Sequence, residues 1–494
     1  MKRSPINEAQ YARQDQECGG RIRCRLAHPC LVSGGNAIHS LVLSGGVALH
    51  ALNIYIVTTV MPSIVRDIGG LDYYAWSTTL FVAASILGAA LSARLLNRAG
   101  AGGAYAVGAI VFGLGSLTCA VAPSMALLLA GRAIQGFGGG LLYALAYGVI
   151  RMVFPAALWA RAIGLISATW GTATLIGPAV GGVFAEYGAW RTAFWSLLPL
   201  TAVLAILALS TLPRTTSGTR GPLPLAQLTL LIAIVLVLSV SGTRTVIGEQ
   251  IAGVGAALAL FAVLVASERR ATERLLPHGA LSPRSPLAAL YATIALAMIG
   301  MQPEIYVPYL LQELHGRSPL VAGYIAALMA LGWTAGSMTS AHWDGGRARK
   351  TIAAGPFFGL VGLLTIAAFM PVISAGFAAI AVPLCLGIAA VGFGIGLAWP
   401  HIVTAVYAAA PAGEEEKAAA SITTIQLFAA SLGAALAGMT ANLAGIGEGA
   451  AEGATSAAIW LFGLFALAPA LGIVSARRAV GGSANRHMQN QEMH

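Results

Sequence analysis

Ala173-Thr174-Leu175-Ile176-Gly177-Pro178-Ala179-Val180-Gly181-Gly182 is the stretch on which the fold of this 494-residue chain turns. Ala173, Gly177 and Gly181 recur every four residues, so they share one helix face of small side chains that lets another helix approach closely. Pro178 has no N–H, which leaves the carbonyl of Thr174 unbonded and bends the helix. The residues alone describe a tightly packed, bent helix.

The rest of the chain supplies the setting. Only 9% of residues are charged and 57% are hydrophobic, against about 25% charged in an ordinary soluble domain. A soluble chain could not cover its surface with so few charges, so this one belongs in a bilayer. Residues 1–38 are polar and Arg-containing, with no apolar segment leading to a small-residue cleavage site. They are expected to form a cytoplasmic tail rather than a removed signal peptide. Beyond them, apolar runs long enough to span a membrane follow near 41–63, 75–97, 102–122, 125–153, 158–185, 190–212, 225–243 and 248–267. The series resumes near 287–311, 319–342, 350–372, 375–405, 416–443 and 456–477. The division between the third and fourth runs rests on Ala122-Pro123-Ser124.

Fourteen spans put both termini on one side. With the N-terminus in the cytoplasm, Arg66, Arg191, Arg244 and Arg317 fall outside and Arg132 lies within a helix, while every other Lys and Arg is cytoplasmic. That asymmetry is the positive-inside pattern. The same scatter over short loops excludes a nucleic-acid partner, despite a formal net charge of +10.

If two halves begin near 41 and 287, the turns Asn97-Arg98-Ala99-Gly100 and Asp344-Gly345-Gly346-Arg347 fall at offsets that differ by one residue. The expected fold is therefore an all-α polytopic membrane protein of two six-helix halves, 39–213 and 287–478. Residues 214–286 add two extra helices, and 479–494 form a second cytoplasmic tail. Duplicated halves with a site near the midplane are a transporter architecture.

Lys2, Lys350 and Lys417 are the only lysines, and none ends a Gly-rich phosphate loop, which excludes ATP-driven transport. The energy must come from a gradient, since one charge crossing 100 mV is worth about 2.3 kcal/mol. No cofactor and no metal are expected. Cys18, Cys24 and Cys30 are each separated by five residues, wider than a usual zinc pair, and Cys119 and Cys385 read as packing residues inside apolar runs.

Arg132 and Glu304 are the charged residues well inside the spans, and each costs about 2.5–3.5 kcal/mol at a helix centre. Arg132 is seven residues from the start of its span and Glu304 seven from the end of an oppositely directed one, which places them at similar depth. They read as a fixed cation and a protonatable carboxyl facing a cavity, or as polar contacts that tie helices together. Gly136 and Gly140 follow Arg132 on one face, and Pro303 and Pro308 flank Glu304 as a hinge. His50 is a third proton-coupling candidate, because imidazole titrates near neutral pH; His401 is a weaker one. Asn53 shares a helix face with His50. Asn53, Gln135, Tyr143, Trp170, Trp333 and Trp399 are the candidates to line a substrate cavity, with Tyr147 beside them. Glu414, Glu415 and Glu416 precede a helix and suit its N-terminal dipole.

The chain resembles the major facilitator superfamily, in particular its fourteen-helix drug:proton antiporter group. Gly177-Pro178 with Gly181-Gly182 is similar to that group's antiporter motif, and Arg132-Ala-Ile-Gln135-Gly136-Phe-Gly138-Gly139 to the motif whose arginine is implicated in proton coupling. Trp190-Arg191-Thr-Ala-Phe194 and the run from Leu52 through Val57 to Pro62 resemble two further motifs. The resemblance implies a conformational role for Gly177, Pro178, Gly181 and Gly182, and a gating role for Arg98, Asp344 and Arg347. There are two departures. Asn53 stands where the group usually carries an aspartate, and the turn at Asn97-Arg98-Ala99-Gly100 lacks the group's acid and trailing basic residues.

The function expected is proton-coupled export of a small amphipathic solute across the inner membrane by alternating access. The partners are solute and lipid, with the protein a monomer and periplasmic partner proteins an open option. Uptake or facilitated diffusion is the alternative in the same class. A membrane enzyme would need clustered acid, base or metal residues, and the loop 268–286 offers only Glu268, Glu273 and His278, without a third ligand. A sensor would need an output domain, for which the tails are too short.

Overall fold

The computed structural model describes residues 35–155, 158–214, 224–271, 273–373, 376–448 and 451–491; Cys18, Cys24 and Cys30 lie outside the described residues. Those residues form helices and turns, with no strand among them. The first half comprises α1 (Gly35–Ile68), α2 (Trp76–Ala120), α3 (Met125–Val153) and α4 (Trp159–Glu186), then α5 (Trp190–Trp195) and α6 (Leu197–Thr211), which form one span broken at Ser196. The extra pair is α7 (Leu225–Gly242) and α8 (Ile247–Arg270). The second half starts with α9 (Pro286–Met301), a 3-10 turn at Gln302–Tyr306 and α10 (Val307–His315). It continues through α11 (Pro319–Ser340), α12 (Gly345–Phe369), α13 (Phe377–Ala409), α14 (Glu415–Leu443), α15 (Ala451–Phe465) and α16 (Leu467–Gln491).

Among the described residues, 13 helical units are long and apolar enough to cross a membrane. The sequence suggested one more because it separates 75–97 from 102–122, whereas helix runs through both as α2. The run is interrupted at Gly100, whose φ of 70° and ψ of 176° are not helical. A Cβ there would lie 2.8 Å from the backbone of Arg214, and the N–H groups of Ala101 and Gly102 donate to the carbonyl of Pro213 at 3.0 and 3.3 Å. The break at Pro123 is present, between Ala120 and Met125. The first helix starts before residue 41, and the last continues to Gln491, so 479–491 is helical rather than a plain tail.

Glycine faces let these helices approach backbone to backbone. A Cβ on Gly136 would lie 2.1 Å from the Phe81 carbonyl oxygen of α2, and one on Gly140 would lie 2.2 Å from that of Ser85. Ser85 Oγ uses the proximity to donate to the Gly136 carbonyl at 2.9 Å. In the second half Gly392 and Gly396 pack in the same way against Met329 and Trp333 of α11. Gly136→Val is therefore expected to abolish monodisperse folded protein on gel filtration, because the carbonyl oxygen of a neighbouring backbone cannot retreat as a side chain can.

The extra pair lies against both halves. Leu231, Ile234, Val235 and Leu238 pack with Ala435 of α14, and α7 also touches α2. Direct contacts between the halves gather at the end of the bundle where α1 finishes and α2 begins. There a Cβ on Gly182 of α4 would lie 2.6 Å from Leu320 Cα, and one on Gly323 of α11 would lie 2.7 Å from Thr59 and 3.2 Å from Pro178. Tyr74 stacks on Tyr306 with ring centres 4.8 Å apart. Arg66 Nη2 donates to Gln312 Oε1, and Ser431 Oγ donates to the Thr79 carbonyl at 3.1 Å. Asn442 Nδ2 donates to the carbonyls of both Asp72 and Gly242, at 2.9 Å each. This end is shut. Toward the other end, Arg98, Asp344 and Arg347 are exposed and have no ion pair among the described residues. The charged gating contact expected of them is not made in this state, since no opposite charge is brought to them.

Candidate functional site

Arg132 lies on the face of α3 that its glycines bring against α2, and it is 1% exposed. Its Nε donates to the Ser77 carbonyl at 3.2 Å, and its Nη1 donates to Asn53 Oδ1 and to Gln135 Oε1 at 2.5 Å. Gln135 Nε2 in turn donates to Ser116 Oγ at 2.8 Å, and the guanidinium carbon stands 4.2 Å from the Phe81 ring centre. A buried cation is thus surrounded by amide and carbonyl oxygens and a ring face, with no carboxylate paired to it among the described residues. Asn53 supplies the acceptor but not the charge, and its Nδ2 is buried without a partner. Asn53→Asp should raise thermal stability at neutral pH by on the order of 1 kcal/mol, since it removes the orphaned donor and makes the bond charge-assisted. Asn53→Ala should lower it by about 1–3 kcal/mol, both read by unfolding in detergent.

His50 is 3% exposed and enclosed by rings. Phe81 lies 5.2 Å away, Tyr143 is stacked at 5.4 Å, and Trp170 meets it edge-on at 6.0 Å. Tyr143 also contacts Tyr147 at 5.5 Å. In the second half Trp333 and Trp399 pair at 5.4 Å, and Trp399 borders an apolar groove with Ile294, Leu363 and Pro469. His401 Nε2 bonds the Ser340 carbonyl at 3.0 Å, a contact that ties α13 to α11. The six cavity candidates therefore divide into three groups. Asn53 and Gln135 hold Arg132, Tyr143 and Trp170 enclose His50, and Trp333 pairs with Trp399.

Glu304 occupies the 3-10 turn between α9 and α10, where Pro303 and Pro308 interrupt regular helix. It is half-buried, and its carboxyl has neither a hydrogen bond nor an ion pair among the described residues. Arg132 is not its partner. Tyr55 of α1 lies within electrostatic reach of Glu304 from the first half. A Cβ on Gly177 would lie 2.4 Å from Tyr55 Cβ, and one on Gly181 would lie 2.8 Å from the Ile56 carbonyl oxygen. The Gly177–Gly182 segment thus presses on α1 with one face and on α11 with another. Tyr55 was not singled out from the sequence. The available signal was a phenol on an otherwise aliphatic stretch, a group that needs a polar partner when buried.

The loop after α8 is docked against the segment that leads into α14. The His278 backbone N–H donates to Glu414 Oε2 at 2.7 Å and its Nδ1 lies 2.6 Å from Oε1. Glu414 is held below the usual carboxylate range chiefly by that backbone N–H, then by the His278 ring and Lys417. Glu273 has no part in it, and no group of three metal-capable side chains occurs among the described residues.

The sequence profile of the Major Facilitator Superfamily matches residues 43–438. A protein of Mycobacterium tuberculosis named "Probable multidrug-efflux transporter" is 38% identical over 454 residues, covering 89% of this chain and 94% of its own. "Multidrug resistance protein 3" of Bacillus subtilis is 26% identical over 299 residues, 58% of this chain and 57% of its own. Among solved structures, a peptide transporter POT in complex with sulfate superposes with a TM-score of 0.67 at 14% identity, covering 95% of this chain and 99% of that one. A D-xylose-proton symporter superposes with a TM-score of 0.63 at 14% identity, covering 90% of this chain and 97% of that one.

Proposed function

The chain belongs to the major facilitator superfamily, and from that premise we propose that it is a secondary transporter exporting small amphipathic, drug-like solutes in exchange for protons. The relative named for multidrug efflux supports the solute class, because it is matched across almost the whole of both chains. We count α2 as two crossings. Its 45 residues would extend about 68 Å as one helix, more than twice a hydrocarbon core of about 30 Å. Fourteen crossings leave both termini on one side, and the excess of Lys and Arg on that side supports reading it as the cytoplasm of an inner-membrane protein, with the shut end outward and the solute loading from inside.

The observation that carries the reading is Glu304. An unpaired carboxyl in a helix break, half-buried and within electrostatic reach of Tyr55 in the first half, can take and release a proton as the halves rock. Tyr55 rests on Gly177, so movement of α4 against α1 is felt beside the carboxyl. Arg132 is a fixed cation inside the first half, and the ring groups around His50 and at Trp333–Trp399 offer apolar faces to the solute. Dye and antibiotic accumulation in a pump-deficient host tests the function. Cells making the protein should accumulate several-fold less, and an uncoupler should erase the difference. Equal accumulation without uncoupler would remove the export reading.

A further inference from the structure

At its far end α8 carries a cleft that the transport mechanism does not use. Residues 251–267 of that helix carry no charge, so Glu268, Arg269 and Arg270 stand where the apolar span meets the headgroup layer. Ala257, Leu264 and Glu268 fall on the inward face and are 4%, 8% and 4% exposed. Leu258, Ala262, Val265 and Arg269 fall at helical spacing on one flank, about 100° around the helix from that face, with Leu258 65% exposed and Ala262 and Arg269 exposed. The loop that follows folds back over this end, and Glu268, Arg269, Arg274, Leu276, Gly279 and Ser282 are among the residues lining the cleft beneath it.

The chemistry of the lining is specific. Glu268 Oε1 accepts from the Leu276 N–H at 2.6 Å, while Oε2 is buried with no hydrogen-bond partner. No ion pair involves Glu268 among the described residues. Arg269 Nη2 reaches the Leu281 carbonyl at 3.4 Å, and Arg274 donates to the Ala271 and Arg269 carbonyls at 3.2 Å each. Each guanidinium has five N–H groups, so both keep donors for an anion. A carboxylate oxygen lacking a donor beside two cations lacking an anion calls for a ligand that carries both charges.

We propose that this cleft binds the headgroup of a phospholipid bearing an N–H ammonium, with the ammonium on Glu268 Oε2 and the phosphate on Arg269 and Arg274. The acyl chains then lie along Leu258 and Ala262, the exposed positions on the flank that leads to Arg269. A trimethylated ammonium has no N–H to give the buried oxygen, and a headgroup without nitrogen leaves Glu268 facing a phosphate.

The test uses the full-length protein in nanodiscs, with retained lipid counted by native mass spectrometry. The lipids are phosphatidylethanolamine, its N-methyl and N,N-dimethyl derivatives, phosphatidylcholine and phosphatidylglycerol. Retention by the unaltered protein should fall stepwise as N–H groups are lost, to about a tenth in phosphatidylcholine, a difference of about 1.4 kcal/mol. Glu268→Gln should abolish that discrimination, and Arg269→Gln should weaken phosphatidylethanolamine and phosphatidylglycerol alike. Should Glu268→Gln fail to fold, the methylation series on the unaltered protein decides. Equal retention of phosphatidylcholine or phosphatidylglycerol with phosphatidylethanolamine overturns the proposal. So does displacement of phosphatidylethanolamine by inorganic phosphate at millimolar levels, which would mark the cleft as a free-phosphate site.

Discussion

Glu304→Gln is expected to cut proton-gradient-driven efflux from everted vesicles by about tenfold or more in initial rate, while the protein remains folded. Coupling needs a group whose charge changes during the cycle, and each charge moved across 100 mV supplies about 2.3 kcal/mol. Among the described residues Glu304 has no hydrogen bond or ion pair to hold it in one protonation state, and the glutamine keeps the shape of the protonated form. Solute exchange without a gradient should therefore continue in the variant while uphill movement stops. That separation distinguishes lost coupling from lost folding. Full gradient-driven efflux by the glutamine variant would take Glu304 out of the mechanism.

The second large effect is expected at the contact between the halves. Gly182→Leu should lower transport by about tenfold or more, because its Cβ would fall 2.6 Å from Leu320 Cα and 2.8 Å from Leu320 Cδ1, closer than packed atoms tolerate. The two residues belong to different halves, so the clash is relieved by holding the shut end apart rather than by unfolding either half. A cysteine at Tyr74, which is 2% exposed in the closed arrangement, should then react faster with a membrane-impermeant thiol reagent. Gly171→Ala on the same helix is the control, since nothing stands within 4 Å of a Cβ there. Unchanged labelling at Tyr74 together with normal transport would show that this contact does not limit the cycle.

The helices were legible in the sequence because an uncharged apolar run of membrane length would be insoluble anywhere but in a bilayer. Breaks such as Pro123 and Pro303 announce themselves by chemistry. Gly100 was harder. Its turn depends on Pro213 and Arg214, more than a hundred positions away, so no local pattern marks it. At the site, Arg132 and Glu304 were evident from the cost of burying charge, but their partners were not. Arg132 is held by Asn53 and Gln135, and Glu304 has no hydrogen-bonding partner among the described residues, because helix rotation and register decide which neutral group meets each charge. The gating role of Arg98, Asp344 and Arg347 was implied by the resemblance alone, and in this structure the three are exposed and without an ion pair among the described residues.

Asn442 has a consequence for how the molecule is made. Its side-chain amide joins carbonyls 370 and 200 positions earlier in the chain, and synthesis runs from the N-terminus. The turn at Asp72 and the end of α7 must therefore enter the bilayer and wait, unlinked by this residue, until α14 emerges from the ribosome and fastens them together.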